Sequence, residues 1–581
     1  MAAPSAKPSA PPIAPGWFGN ARFDAVAGFL VFLIAMPLCL AIARASGYPP
    51  IAGIWTAVIG GLVCSFVSNS QLTIKGPAAG LIVIVYGAVT ELGGEFATPG
   101  MGDADRAFLG YKLALGIGVT AGVVQMLFGL IRAGRLADFF PLTPVHGMLA
   151  SIGIIIIAKQ AYEVVGVTPT KGAGPLALIA EFPAKLREVN PEIAAIGVAG
   201  LLILFGLPLV ATRVRVLKKV PAQLVVLVVA VALGSAAVFD LEHEHTYIFP
   251  AHVVDGHLEN GEYTVGPKFL VTMPEVLRNP ADAFAVPDFR GLATATGLQY
   301  LLLFTLIGSL ESLLSARAIE LIDPWRRKTN FDRDLLAIGI ANTLSSAVGG
   351  LPMISEIVRS KANTDNGART SMANAFHGLF LLAFVLAFPN LIHQIPLAAL
   401  GAMLVYTGFR LASPKEFVRT YKVGSEQFIV FVGTILATLA TDLLIGIAAG
   451  IGLKVMFHLW NGAPLSGMLI PDVTAVPEGD TRVVLVVRRA AVFSNWLGLR
   501  KAIVGQAATR EEVVLDLSET RLVDHSTMEK LHELGDTLAD SGKRLTVIGL
   551  EGHVPLSSHP LAARRSGYVR TPTREAAGTG A

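Results

Sequence analysis

The chain has 581 residues, of which 53% are hydrophobic and 15% charged, and its formal net charge is +3. Soluble domains carry about 25% charged residues. With a mean hydropathy of +0.59, this deficit excludes an ordinary soluble globular protein and implies a polytopic membrane protein. So small a net charge gives no reason to expect a nucleic-acid partner. Cys39 and Cys64, the two cysteines, lie in apolar runs and exclude a disulfide framework; they read as small buried apolar residues.

Residues 1–20, rich in Pro, Ala and Ser, read as a disordered cytoplasmic tail, and their pattern is not that of a signal peptide. A membrane span needs roughly 20 apolar residues. Candidates follow in order at 26–43, 51–67, 107–131, 147–158, 193–210 and 222–239, then at 298–316, 335–350, 372–388, 395–411, 428–444 and 445–460. Two interrupted pieces, 76–92 and 349–363, bring the count to about fourteen elements. The resulting division is a first transmembrane repeat over 21–239, an extracellular insert over 240–290 and a second repeat over 291–462.

Loop charge tests this threading. Arg132 and Arg135 share one loop; Arg213, Arg215, Lys218 and Lys219 a second; Arg326, Arg327, Lys328 and Arg333 a third; Arg410, Lys415, Arg419 and Lys422 a fourth. If every element crosses in turn, all four loops fall on the side of both termini, which is then cytoplasmic. The stretches "GGLVCSFVSNSQLTIKGPAAG" (60–80) and "IANTLSSAVGGLPMISEIVRSK" (340–361) also correspond, seven elements apart. An odd offset gives the two halves opposite topology, and paired Gly/Pro-interrupted segments point to a transporter's binding site.

Beyond Trp460 the pattern changes. Segments 481–489, 511–518 and 543–550 alternate like strands, while 495–508 and 526–542 carry helical periodicity. A small cytoplasmic α/β domain is expected over 463–570, and a disordered tail over 571–581.

The broken segments carry the chemistry. A helix start exposes unpaired N–H groups and the positive end of the macrodipole, which together bind anions. If Gly76–Pro77 and Pro352–Met353 each start a half-helix, the two starts face each other and form an anion cradle. Arg359 adds a full charge one to two turns into the second half-helix. It either binds the anion or pairs with Glu356 at i,i+3. Lys75 is either a second cation at the cradle or the neutraliser of a carboxylate. Glu311, deep in an apolar span, is a functional candidate by position. It takes up a proton, or binds Na⁺ with help from Ser315 one turn on, or pairs with Lys75 or Arg359. Pro37 kinks its span, whose small residues either line the cavity or pack helices. In the insert, His243, His245 and His252 fix no complete metal site and read as a solvated loop.

The motifs "QLTIKGPAAG" (71–80), "GSLESLLSA" (308–316), "LPMISEIVRSKANTDNGART" (351–370) and "VVLDLSETRLVDHSTM" (513–528) resemble the SulP (sulfate permease-like) anion transporters, kin of pendrin, prestin and bacterial bicarbonate transporters. The resemblance implies an α-helical polytopic membrane protein. About fourteen segments would form a 7+7 inverted repeat in core and gate domains, followed by a C-terminal cytoplasmic STAS domain. It implies a homodimer in the plasma membrane, with the anion held between segments three and ten and flanked by segments one and eight. Carried over residue by residue, the anion-binding candidates are Lys75, Gly76, Pro77, Ala78 and Ala79, then Ser355, Glu356, Ile357 and Arg359, with Leu38 and Ile42 on segment one. The coupling-ion candidates are Glu311 and Ser315. Cyanobacterial bicarbonate carriers have Asp at the first of these, in a sodium site; Glu here tilts the expectation toward a proton. Lys75 replaces the family's usual Ser. In the last motif His525 follows Asp524 where a phosphorylatable Ser is usual, so a docking or regulatory module is expected rather than a phosphoswitch.

The expected activity is cation-coupled transport of a small inorganic anion by alternating access, bicarbonate first and sulfate or a dicarboxylate next. The rival from another class is an uncoupled anion channel or exchanger. No phosphate-binding loop, HExxH or Ser–His–Asp grouping suggests an enzyme. No resident cofactor or metal is expected, H⁺ or Na⁺ as coupling ion aside.

Overall fold

A chain in lipid has no water to satisfy its backbone, so apolar runs close their hydrogen bonds internally, as helices. The computed structural model describes residues 19–134, 141–170, 173–213, 220–254, 257–274, 276, 278–325 and 327–567. Residues 1–18 of the expected N-terminal tail, the tail 571–581, and the loop residues Arg135, Arg215, Lys218, Lys219 and Arg326 lie outside the described residues.

Helices α1 (Ala21–Ala45) and α2 (Pro50–Val67) lead into a short strand, β1 (Ile74–Pro77). Then come α3 (Ile82–Glu95), α4 (Asp103–Leu130), α5 (Leu142–Val165), α6 (Pro175–Lys185), α7 (Pro191–Ala211) and α8 (Ala222–Gly234). The insert read as an open loop instead carries an antiparallel hairpin, β2 (His245–Val254) with β3 (His257–Val265), on which Tyr247 stacks with Tyr263. The second half repeats the opening: α9 (Ala295–Ile322), α10 (Phe331–Ala347), a short strand β4 (Met353–Glu356), α11 (Ile357–Asp365), α12 (Met372–Ala387), α13 (Pro389–His393) and α14 (Leu397–Leu411). Helices α15 (Pro414–Val423), α16 (Ser425–Ala440), α17 (Leu443–Trp460) and α18 (Leu465–Leu469) follow.

Among the described residues eight helices are long and apolar enough to cross a membrane, and α8, α12 and α16 are shorter apolar helices. With α10 and the two strand–helix units β1–α3 and β4–α11, they account for the fourteen-segment expectation.

Packing gathers the chain into two compact units, Met1–Gly134 with Ile152–Ala412, and Arg135–Ser151 with Ser413–Ala581. In the first, α4 lies along α10, and α12 packs on both α1 and α2. In the second, α15–α17 group with the C-terminal domain. One physical reason is a buried polar junction. Lys454 and His458, on the last turns of α17, reach Asp524 of that domain at 3.5 and 3.3 Å.

The C-terminal domain is built from β5 (Asp472–Glu478), β6 (Arg482–Ala491), α19 (Trp496–Ala507), β7 (Glu512–Asp516), β8 (Thr520–Val523), α20 (His525–Asp540), β9 (Arg544–Ile548), β10 (His553–Pro555) and β11 (Arg564–Ser566). Strands β8, β7 and β9 run parallel to β6 or to one another, and β5, β10 and β11 are antiparallel additions. The three strands and two helices read from the sequence are β6, β7, β9, α19 and α20. Their apolar faces, Val483, Leu485, Leu515, Trp496 and Leu531 among them, form the core.

Candidate functional site

Each interrupted segment contains an X–Pro step, and proline drives the residue before it to extended backbone. Gly76–Pro77 and Pro352–Met353 do not begin helices, as the sequence reading had them. They lie in β1 and at the entry of β4. The helices start later: a 3₁₀ turn at Ala79–Leu81 leads into α3, and α11 starts at Ile357. Two extended segments in a dry interior must find partners for their backbone, and they find each other. The strands pair antiparallel, with Lys75 opposite Ser355, Gly76 opposite Ile354 and Pro77 opposite Met353.

The outer edges of this two-stranded sheet are closed by side chains. Ile74 N–H donates to Ser360 Oγ at 2.8 Å and Lys75 N–H to Asn374 Oδ1 at 3.1 Å. Met353 N–H donates to Asn342 Oδ1 at 2.6 Å and Ser355 N–H to Ser312 Oγ at 3.0 Å. Because the strands are antiparallel, α3 and α11 leave in opposite directions, and both N-terminal ends stay beside the sheet.

Arg359 is the third residue of α11, in its first turn rather than further along, and is 1% exposed. A guanidinium donor of Arg359 (Nη1) reaches Cys39 Sγ of α1 at 3.5 Å, while Nε has no partner. Among the described residues no carboxylate forms an ion pair with it, so the pairing with Glu356 is not made. Glu356 is the N-cap residue of α11, yet its side chain does not cap that helix. Its carboxylate is directed toward the Ala79 end of the opposite tip, and Oε1 is left without a partner. Glu311 of α9 is half-buried, with Oε2 enclosed and unpartnered. Two glycines make these approaches feasible. A Cβ at Gly76 would meet Arg359 Nη1, and a Cβ at Gly80 would meet the Glu311 carboxylate. One guanidinium and two carboxylates thus converge on the two backbone tips.

Lys75 points elsewhere. Its ammonium sits 2.8 Å from Asp334 Oδ1, both groups fully buried, and also donates to Ser355 Oγ. The second-cation reading of Lys75 gives way to its alternative, the neutraliser of a carboxylate. Ser355 belongs to the same polar cluster, which Ser68 completes by donating to Asp334. Ala78 and Pro77 are buried beside the tips, whereas Ile357 is 46% exposed and outside the enclosed polar group. Ser315 is buried one turn along α9 from Glu311. Leu38 packs into an apolar cluster with Ala398, Ala399 and Met403, and Ile42 is buried. The contact of α1 with Arg359 is Cys39, which sequence reasoning took for filler. Asp334 was missed too. It sits one turn into α10 behind the Asn330 N-cap, where it reads as a loop-side charge beside Arg333.

The model of the sulfate permease family matches residues 22–434. The chain belongs to that family. Sulfate permease family members transport anions, and two full-length relatives illustrate the range. The Bicarbonate transporter BicA of Picosynechococcus is 25% identical over 83% of this chain and 76% of its own. Sulfate transporter 2.1 of Arabidopsis thaliana is 22% identical over 92% of this chain and 79% of its own. In fold, the chain is similar to the transmembrane domain of a cyanobacterial BicA, with a TM-score of 0.58 at 22% identity over 75% of this chain and 99% of that one. It is similar also to the murine Slc26a9 anion transporter in its inward-facing state, with a TM-score of 0.62 at 15% identity over 90% of this chain and 85% of that one. The C-terminal α/β domain fits the family's STAS domain.

Proposed function

We propose that this sulfate permease family member is a secondary active transporter of a small inorganic anion, bicarbonate first and sulfate or a dicarboxylate next. The anion binds between the tips of β1–α3 and β4–α11, and the site opens alternately to the two sides. The single observation that carries this reading is Arg359, a buried guanidinium that forms no ion pair among the described residues and lies against Gly76 at the facing backbone tip. Placing such a charge in a membrane costs roughly 3 kcal/mol on insertion scales, and far more without a water defect. A mobile anion supplies the missing partner.

Glu311 supports coupling. Its enclosed carboxylate takes H⁺ or Na⁺ as the anion binds, with the Ser315 hydroxyl one turn away available to a sodium ion. An uncoupled channel has no use for such a group. The protein acts as a homodimer in the plasma membrane with both termini cytoplasmic, its STAS domain a docking or regulatory module.

Purified protein in liposomes, offered labelled bicarbonate, sulfate and fumarate in parallel, tests the reading. Uptake of at least one anion against its gradient is expected, and Arg359→Ala reduces it to background without loss of folded protein. Undiminished uptake by that variant refutes the anion site.

A further inference from the structure

The convergence of charges at the two tips is uneven. Lys75 and Asp334 cancel each other 2.8 Å apart, which leaves Arg359 facing Glu311 and Glu356. Glu311 belongs to the coupling cation in the reading above. Glu356 has no such assignment. It does not pair with Arg359, it does not cap its own helix, and one of its oxygens is unpartnered although the residue is buried. Its carboxylate lies toward the Ala79 end of the opposite tip, beside the backbone donors that an incoming anion would itself use.

We infer that Glu356 is a fixed anion inside the anion cradle, and that it selects singly charged substrates over doubly charged ones. The inference rests on the anion-site reading above. Once a cation has neutralised Glu311, Arg359 and Glu356 balance. A monoanion then adds one uncompensated charge and a dianion two. In a low-dielectric site the cost of uncompensated charge rises steeply with its amount, so sulfate is disfavoured relative to bicarbonate. Without the Glu356 charge, the same cradle is positive before substrate arrives. A monoanion neutralises it, and a dianion leaves only one charge in excess.

The test compares labelled bicarbonate and sulfate uptake in the same proteoliposomes, so that the ratio of the two is independent of how much protein is folded. Wild type is expected to favour bicarbonate. Glu356→Gln lowers the bicarbonate-to-sulfate ratio by about tenfold or more, and Glu356→Asp, which keeps the charge, retains the preference. An unchanged ratio in Glu356→Gln overturns the inference, as does a wild type that carries sulfate as readily as bicarbonate. A Glu356→Gln protein that carries neither anion overturns it too, because removing a filter widens passage. Failure of the underlying reading is distinct. There, Arg359→Ala carries either anion as well as wild type, or wild type carries neither.

Discussion

Arg359 stands where two preferences of the chain oppose it. The first turn of a helix disfavours a cation, because the macrodipole is positive there, and the interior disfavours an unpaired charge. Neither cost is offset by an ion pair among the described residues, and an anion bound as proposed would offset both. Lysine keeps the charge but not the planar fork that grips an oxyanion through two N–H groups. Arg359→Lys is therefore expected to cut uptake by about tenfold while leaving the protein folded, as initial rates in proteoliposomes would report; rates equal to wild type would mean that only charge matters. The two glycines give a subtler check, since neither substitution removes a polar group. Gly76→Ala drives a methyl into the guanidinium, and Gly80→Ala drives one into the Glu311 carboxylate. The first should raise the anion concentration for half-maximal uptake, and the second should blunt the response to the driving cation. Glu311→Gln should abolish that response while exchange of anion for anion continues. Proton and sodium dependence that survive intact would assign coupling to another group.

The pairing of β1 with β4 depends on polar groups that arrive from four helices. Ser360, Asn374, Asn342 and Ser312 satisfy its edges, and the Lys75–Asp334 pair crosses beneath it. Removing one member of a buried pair strands the other charge and costs about 3–5 kcal/mol, whereas removing both can be nearly neutral. Lys75→Met should therefore lower the thermal midpoint in detergent sharply, and Lys75→Met with Asp334→Leu should recover most of the loss. Equal midpoints for the single variant and wild type would show that the pair contributes no stability. The prolines and glycines of these segments announced two broken elements in corresponding places, and that much was legible. That the breaks are strands was not, because the reason lies in the other half of the molecule. Each segment is extended to suit its neighbour across the sheet, and Asp334 lies 259 residues from Lys75. Local spacing carries no trace of such a partner.

Hydropathy delivered twelve of the fourteen elements, since lipid forces long apolar runs into helices whatever else they do. The strands of the C-terminal domain divided by the same logic. Alternation exposed β6, β7 and β9, while β8, β10 and β11 are three or four residues long and too short to show a period. The contacts of α17 with this domain were less legible, because they come from single polar residues. Asp524 caps α20 through the Thr527 N–H at 2.7 Å and meets Lys454 and His458. Burial alone would raise its carboxyl, but the Lys454 ammonium and hydrogen bonds from His458 and Thr527 hold it well below the usual carboxylate range. Ser526 is fully buried and receives the Lys454 ammonium at 2.6 Å, which leaves a kinase no access in this arrangement. The neighbouring His525 gives this junction a pH dependence. Burial pushes its imidazole below the ordinary value, while Nδ1 lies 2.6 Å from the Leu561 carbonyl. An unfolded histidine titrates near pH ~6.5, so just below that pH the opened chain binds a proton that the folded domain refuses. The His525 contribution is then intact above pH ~6.5 and is lost as pH falls toward the depressed folded value, by at most about tenfold in the opening equilibrium per pH unit. Asp524 adds nothing in this window, because its loss begins only as pH falls below the unfolded carboxylate value of about 3.9. Amide exchange of α20 in the full chain, corrected for the intrinsic rate, should therefore lose protection between pH 7 and about 5.5. His525→Asn keeps an N–H for Leu561 and has no proton to gain, so its protection should stay flat over the same interval; an equal loss in both proteins would assign the acid sensitivity to another group.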